Sequence, residues 1–498
     1  MSHRVKNPQP DRRRLLDDLA EFATGGVAES TAQESDESFF RAHLPIPEHR
    51  RVLDRDTMLI LGGRGTGKTQ LFDALRRLDN PSLLAPGMGA ASVCEAYVTG
   101  FTTTRTSDHP RSEVLQRCLT GDAEGTARNF WVGLLAGVLL QDEQVRTRLK
   151  AHLRGDVPQR LEDSLASPGR WLTLVDEHLD DVLNALDRVD EALKGEGRYL
   201  YVTYDDLDVL ATKMTHVYPL VRELLALWLR NSRRWGNLRC KVFLRTDIFD
   251  ADELAFTDSS KLRPRSVTLR WVPDNLYRLV LKRLLNGKLG DEWRKYLKDP
   301  LRSERIRTEH PWGIVPTTGE PEHKEVVKVL VGSYMGSDPR RGATYSWFLN
   351  HLRDSLKDIA PRSFLKLFEA SAKRQLASGL PRSDHLLEPQ HIAGALGDVS
   401  TDRISELTNE EYPWIRTIAK QLDRKTVPME RREFRKLLTQ IEWSEGSKPL
   451  YVEPDRLIDY LLSLGILRAT DDGRIHVPDI YLYGFGLRRK GGIRRPRA

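Results

Sequence analysis

Three groups of residues have the types and spacing for phosphate chemistry. Gly62-Gly63-Arg64-Gly65-Thr66-Gly67-Lys68-Thr69 fits the pattern GxxxxGK[ST]. Glycines let the backbone curl around a phosphate with its N–H groups pointing inward, and the helix that follows adds its positive end. Lys68 then reaches the β- and γ-phosphates, the Thr69 hydroxyl ligates Mg²⁺, and Gln70 completes the nucleotide-binding run. In the second group, the apolar run Tyr199–Tyr204 leads into Asp205-Asp206-Leu207-Asp208. A carboxylate at the tip of a buried strand is where a Mg²⁺ shell needs its acid, which points to Asp205. Asp206 takes the position of the base that polarises an attacking water; a solvated acidic turn is the plainer alternative. In the third, Cys240–Leu244 runs into Arg245-Thr246-Asp247. Arg245 either reads a γ-phosphate or pairs with Asp247.

Such groups act only if strands and helices bring them together. Thr57–Leu61 is a short apolar run ending in glycines, the pattern of a buried parallel strand, and a helix follows over Lys68–Leu78. Val93–Phe101, Tyr199–Tyr204, Cys240–Leu244 and Val267–Trp271 read as further strands, and Val217–Arg230 as a helix. Strands alternating with helices predict a three-layer α/β core with a parallel sheet over residues 46–272. A helical insertion interrupts it at about 105–195, including Gly125–Leu153 and Trp171–Leu193. Residues 1–45 read as an arm with one helix at Asp11–Phe22 and a flexible linker at Ala28–Ser38. After Pro273 the pattern is helical through Asn275–Leu285, Ser346–Ile359 and Ser363–Leu376, giving a helical lid over 273–399. Residues 400–486 end in a helix at Pro454–Leu464, an Asp471-Asp472-Gly473 turn and Arg474–Val477, the close of a winged-helix domain. Residues 487–498 form a basic tail.

Composition narrows the class. Of 498 residues, 39% are hydrophobic and 30% charged, which excludes a disordered chain. Three cysteines, scattered histidines and no HExxH run speak against a disulfide scaffold or zinc chemistry. The N-terminus lacks the apolar stretch of a signal peptide, and Phe130–Leu140 is far short of the roughly 20 residues a membrane span needs. That run reads as a buried helix, and the protein as cytoplasmic without a membrane partner. The net charge of +7 is misleading, because Leu487–Ala498 holds six cations and no acid. The body before it is close to neutral.

The three motifs together resemble the P-loop ATPases of the STAND and AAA+ group. The run into Asp205-Asp206-Leu207-Asp208 and the strand ending Leu244-Arg245-Thr246-Asp247 look most like STAND and origin-recognition-like members, including a bacterial family of unassigned P-loop ATPases. The resemblance spans Pro45 to about Leu376, and a winged helix after the lid fits it. It implies ATP with Mg²⁺ and a switch between ATP and ADP forms. It also implies a sensor-2 arginine at Arg362, with Arg340-Arg341 competing, and an arginine finger at Arg263 or Arg265. Asp206 departs from the glutamate usual in AAA+ enzymes, and a side chain one methylene shorter implies slow hydrolysis. The expected partners are further copies of the chain or an effector acting in trans, in bacterial stress response or phage defence. The alternative is a DNA-binding ATPase resembling origin-recognition or loader proteins, through the winged helix and basic tail. Against it, Pro454–Leu464 offers Asp455, Arg456 and Asp459, a poor set for phosphate contact.

Overall fold

The computed structural model describes residues 11–22, 35–78, 81–84, 95–103, 109–118, 123–211, 214–444 and 448–490. They form two compact units, Pro45–Arg270 and Met1–Leu44 together with Trp271–Ala498.

The unit Pro45–Arg270 is built on five parallel strands: β1 (Leu59–Gly62), β2 (Glu95–Phe101), β3 (Tyr199–Tyr204), β4 (Leu238–Arg245) and β5 (Ser266–Thr268), in the order β2-β3-β4-β1-β5. All four residues of β1 are buried, as a strand covered on both faces must be. The expected α/β class with a parallel sheet is what the chain adopts. β1 lies between β4 and β5, and because the strands are parallel the segments that follow β1, β3 and β4 all leave the same edge of the sheet.

Among the described residues, six α-helices and one short 3₁₀ helix fill the stretch between β2 and β3, from Ser112–Cys118 to Leu179–Gly195. Phe130–Leu140 lies within the central helix Ala123–Gln141 and is buried almost throughout. Gly133 and Gly137 let its neighbours approach: a Cβ would come within 2.5 Å of Trp171 and 2.3 Å of Leu165. The helical stretch expected over Gly125–Leu153 consists of two helices, Ala123–Gln141 and Glu143–His152. The break falls at Asp142, whose carboxylate accepts from the Val145 N–H at 3.3 Å and caps the second helix. Trp171–Leu193 likewise divides at His178.

The other unit begins with helices at Arg12–Ala20 and Asp36–Ala42. Leu15, Leu16 and Leu19 are buried where the first packs on the helix Pro361–Ser378, so this part of the expected arm is docked. Of the expected linker, 28–34 lie outside the described residues, while Ser35 caps the second helix by accepting from the Ser38 N–H. The stretch after Pro273 is not wholly helical, since β6 (Ile306–Glu309) and β7 (Gly313–Pro316) form an antiparallel hairpin between its helices.

The last part runs helix Ile415–Leu422, β8 (Thr426–Val427), helices Arg431–Thr439 and Pro454–Ser463, then a hairpin of β9 (Arg468–Ala469) and β10 (Ile475–His476). Gly473, at φ 79°, closes the hairpin turn by donating to Thr470 O at 2.8 Å. A final strand, β11 (Arg488–Arg489), pairs in parallel with β8, so the expected tail begins inside a two-stranded ribbon. Residues 491–498 lie outside the described ones. No helix among the described residues is long and apolar enough to cross a membrane.

Candidate nucleotide-binding site

The turn after β1 is shaped by its glycines. Gly65 and Gly67 have φ of 74° and 91°, a region that side chains with a Cβ rarely adopt. A Cβ on Gly62 would meet the Thr66 hydroxyl at 2.5 Å. Thr66 donates to Gly63 O at 2.8 Å, and Gly67 caps the helix Lys68–Arg77. Arg64 lies within the turn, and Gln70 in the first turn of that helix. Lys68 Nζ donates to Gly62 O and Gly63 O, both at 2.9 Å. Although part of its surface meets solvent, burial of the ammonium lowers its pKa; Asp205 opposes this and Arg245 adds to it.

Asp205 follows β3 and is 3% exposed. Burial first, and then the charge of Asp206, push its carboxyl up to about 7, against a hydrogen bond from Thr69 and the charge of Lys68. Its Oδ2 has no hydrogen-bond partner among the described residues. A buried carboxylate oxygen left over beside a threonine hydroxyl is the donor set a hard cation takes. Among the described residues no group of three or more His, Cys, Asp or Glu is arranged to hold a metal ion by itself, but Mg²⁺ at phosphates takes only one or two protein ligands. Thr69 and Asp205 would hold it. A bound Mg²⁺ neutralises phosphate charge and polarises the terminal phosphoryl group.

Asp206 has φ 56°, left-handed for a residue with a side chain. Its Oδ2 accepts from the Thr102 hydroxyl at 3.1 Å, the Thr103 N–H at 3.1 Å and the Thr103 hydroxyl at 2.7 Å. The pairing of Phe101 with Tyr204 carries the threonines just past β2 to the level of Asp206. Three donors hold that oxygen in place. Sequence reasoning missed both threonines; the only signal was the run Thr102-Thr103-Thr104 after a strand.

The sheet register sets Arg245 directly opposite Gly62, beside the loop. Its guanidinium is bidentate on Asp247, at 3.1 and 2.7 Å, and reaches Asp208 at 3.3 Å. Of the two readings left open by the sequence, pairing with Asp247 is present, and Asp208 joins it unforeseen. Lys68 and Arg245 thus stand among four carboxylates, Asp205, Asp206, Asp208 and Asp247. Coulomb attraction alone would not draw a triphosphate into that set. For a triphosphate to bind, the loop N–H groups, the helix end and a divalent cation would have to supply the difference.

Arg362 begins the helix Pro361–Ser378 in the other unit, 3.7 Å from Glu406, which also holds Lys366 and Arg403. Arg340 and Arg341 lie in a short turn of that unit. Arg263 pairs with Asp250, and Arg265 approaches the Met58 sulfur at 3.5 Å.

No protein-family model matches the chain, and no curated protein matches its sequence. Among solved structures it is similar to a Walker-type ATPase of Pyrococcus abyssi, at 14% identity and TM-score 0.34 over 88% of this chain and 94% of that one. It is similar to the Aeropyrum pernix ORC1 protein in complex with DNA, at 14% identity and TM-score 0.31, covering 97% and 93%. Cdc6p from Pyrobaculum aerophilum follows at 12% and 0.29, covering 96% and 92%. Likeness at this level is coarse, and the chemistry of the site rests on its own geometry.

Proposed function

We propose that the chain binds ATP with Mg²⁺ and hydrolyses it slowly, as a nucleotide-dependent conformational or assembly switch. The observation that carries this reading is the buried, incompletely partnered Asp205 carboxylate beside Thr69, next to a glycine turn that holds Lys68. The turn and helix start bind phosphates, Lys68 counters their charge, and Thr69 with Asp205 hold the metal. Asp206 orients the attacking water through its remaining oxygen. The shorter side chain favours slow turnover. Arg245 meets a γ-phosphate only by exchanging a carboxylate partner for it, which suits a sensor of the triphosphate better than a fast catalyst.

Assembly with further copies or an effector in trans, and a setting in bacterial stress response or phage defence, rest on the resemblance of the sequence motifs alone. So do the roles of Arg362 and the finger arginines. The C-terminal helix–strand–helix–helix–hairpin order supports reading that part as a winged helix. The test is titration of ATP and ADP with Mg²⁺ together with phosphate release. The parent should bind both and release phosphate slowly, Lys68→Ala should bind ATP about a hundredfold more weakly, and Asp206→Asn should bind ATP without releasing phosphate. A parent that binds no adenine nucleotide sinks the reading.

A further inference from the structure

At the starts of the strands, the end of the sheet opposite the glycine turn, the unit Pro45–Arg270 leaves a cleft of about 300 Å³ that opens to solvent on one side. Met58, just before β1, and Leu238, the first residue of β4, both line it. At the rise of a strand, Met58 stands roughly 13 Å from Gly62. The walls are apolar: Met58, Trp228, Trp235, Leu238 and Cys240 are all buried.

Those walls are fixed before any ligand arrives. The helix Met214–Asn231 ends beside the cleft, and the chain turns back there into β4. The Asp190 carboxylate accepts from the N–H groups of Gly236, Asn237 and Leu238, at 3.1, 2.6 and 2.7 Å. Trp235 Nε1 donates to Asp187 at 2.8 Å, and the Trp228 and Trp235 rings meet edge to face with centroids 5.5 Å apart. Met58 is held by its backbone, whose N–H donates to Arg265 O and whose carbonyl accepts from the Val242 N–H, both at 2.8 Å. A cavity built this way binds without a large ordering cost.

The charge in the lining has one sign. Arg55, Arg239 and Arg265 line the cleft, and none of the described residues that line it is acidic. Arg239 is engaged by Asp56 at 3.1 Å and by Gly236 O at 2.7 Å, and Arg55 lies over the Tyr199 ring at 4.3 Å. Arg265 is half-buried, and its guanidinium reaches only the Met58 sulfur, a weak acceptor, at 3.5 Å. No carboxylate among the described residues pairs with it. Asn231 gives its amide N–H to Leu227 O at 3.0 Å, which leaves its side-chain oxygen for a donor.

We propose that this cleft binds a small aromatic carboxylate, with the ring against the tryptophan walls and the carboxylate on Arg265. A bare inorganic anion would lose hydration against such walls without replacing it. A neutral or cationic molecule would leave the guanidinium unmatched, whereas a carboxylate fits its fork. The volume admits about one ring. The Asn231 oxygen suits an acid that also carries a hydroxyl. The site is separate from the glycine turn and does not depend on the nucleotide reading.

The test is calorimetric titration of the full chain with benzoate, phenylacetate and 4-hydroxybenzoate, with benzamide and sulfate as controls. The acids should bind one to one and quench tryptophan fluorescence. Arg265→Met should bind them about tenfold more weakly and leave benzamide unchanged, and Arg265→Lys should recover part of the loss. Lys68→Ala should bind the acids like the parent. Unfolding midpoints close to that of the parent establish that the variants fold. The proposal is overturned if none of the acids binds, if Arg265→Met binds them like the parent, or if benzamide binds as tightly. It is equally overturned if sulfate displaces the acids at equal concentration, or if Lys68→Ala abolishes their binding, which would place them at the glycine turn.

Discussion

Arg245 and Arg468 both sit at one end of a strand, both are substantially enclosed, and their surroundings are opposite. Arg245 has two carboxylates on its guanidinium, while Arg468 has none within bonding distance and another arginine nearby. The first arginine is already neutralised, and an anion must compete for it. The second stands uncompensated, and an anion improves its surroundings. A motif places an arginine beside a ligand, but the neighbouring carboxylates decide how readily it gives its charge away.

The contrast can be broken most directly through stability. Arg245→Ala strands Asp208 and Asp247, each about a quarter exposed, and should cost about 3 kcal/mol, near the low end for a broken buried pair. Arg468→Ala should change stability by less than about 0.5 kcal/mol or improve it. Urea unfolding measures both, and equal losses would erase the distinction. Next in size is Lys68→Ala, expected to weaken ATP binding about a hundredfold, or about 2.7 kcal/mol by calorimetry. Arg468→Ala should leave that affinity within about twofold.

Acidity sharpens the comparison at the metal pair. Asp205 titrates near 7 when folded and in the ordinary carboxylate range when unfolded. The folded chain therefore keeps a proton that the unfolded chain releases. This contribution to stability is full in acid below that ordinary range and is lost as pH rises through 7. Asp205→Asn should accordingly be more stable than the parent at pH 8 and similar to it in acid. Metal binding runs the other way, since Mg²⁺ needs the ionised form, and should weaken about tenfold per pH unit below 7. A flat metal affinity between pH 8 and 6 would remove Asp205 from the metal shell. The smallest expected effect is Gly67→Ala, about 1 kcal/mol of lost stability from its positive φ.

Much of the α/β core was legible because each β-strand announces itself locally: Tyr199–Tyr204 was read to the residue, and the glycine turn has a composition few other structures need. What escaped was set by contacts distant in sequence. Thr102 and Thr103 meet Asp206 across more than a hundred residues, and only the register of β2 with β3 joins them. Asp208 reaches Arg245 across 37 residues, through the pairing of β3 with β4. The β8–β11 ribbon is two residues on each side, too short for any alternating pattern to show. Asp142 looked like one more helical residue until its side chain was seen capping the next helix.

The backbone at Asp206 has a consequence for how this chain can change. At φ 56° aspartate and asparagine are the best-tolerated residues after glycine, and a longer side chain fits that conformation less well. Glutamate at this position would have to relax the turn and abandon the two threonines together. On the proposed reading, a single substitution would therefore not convert a slow switch into a rapid motor. The proposed slow turnover is written into the shape of the main chain, and so is buffered against point mutation.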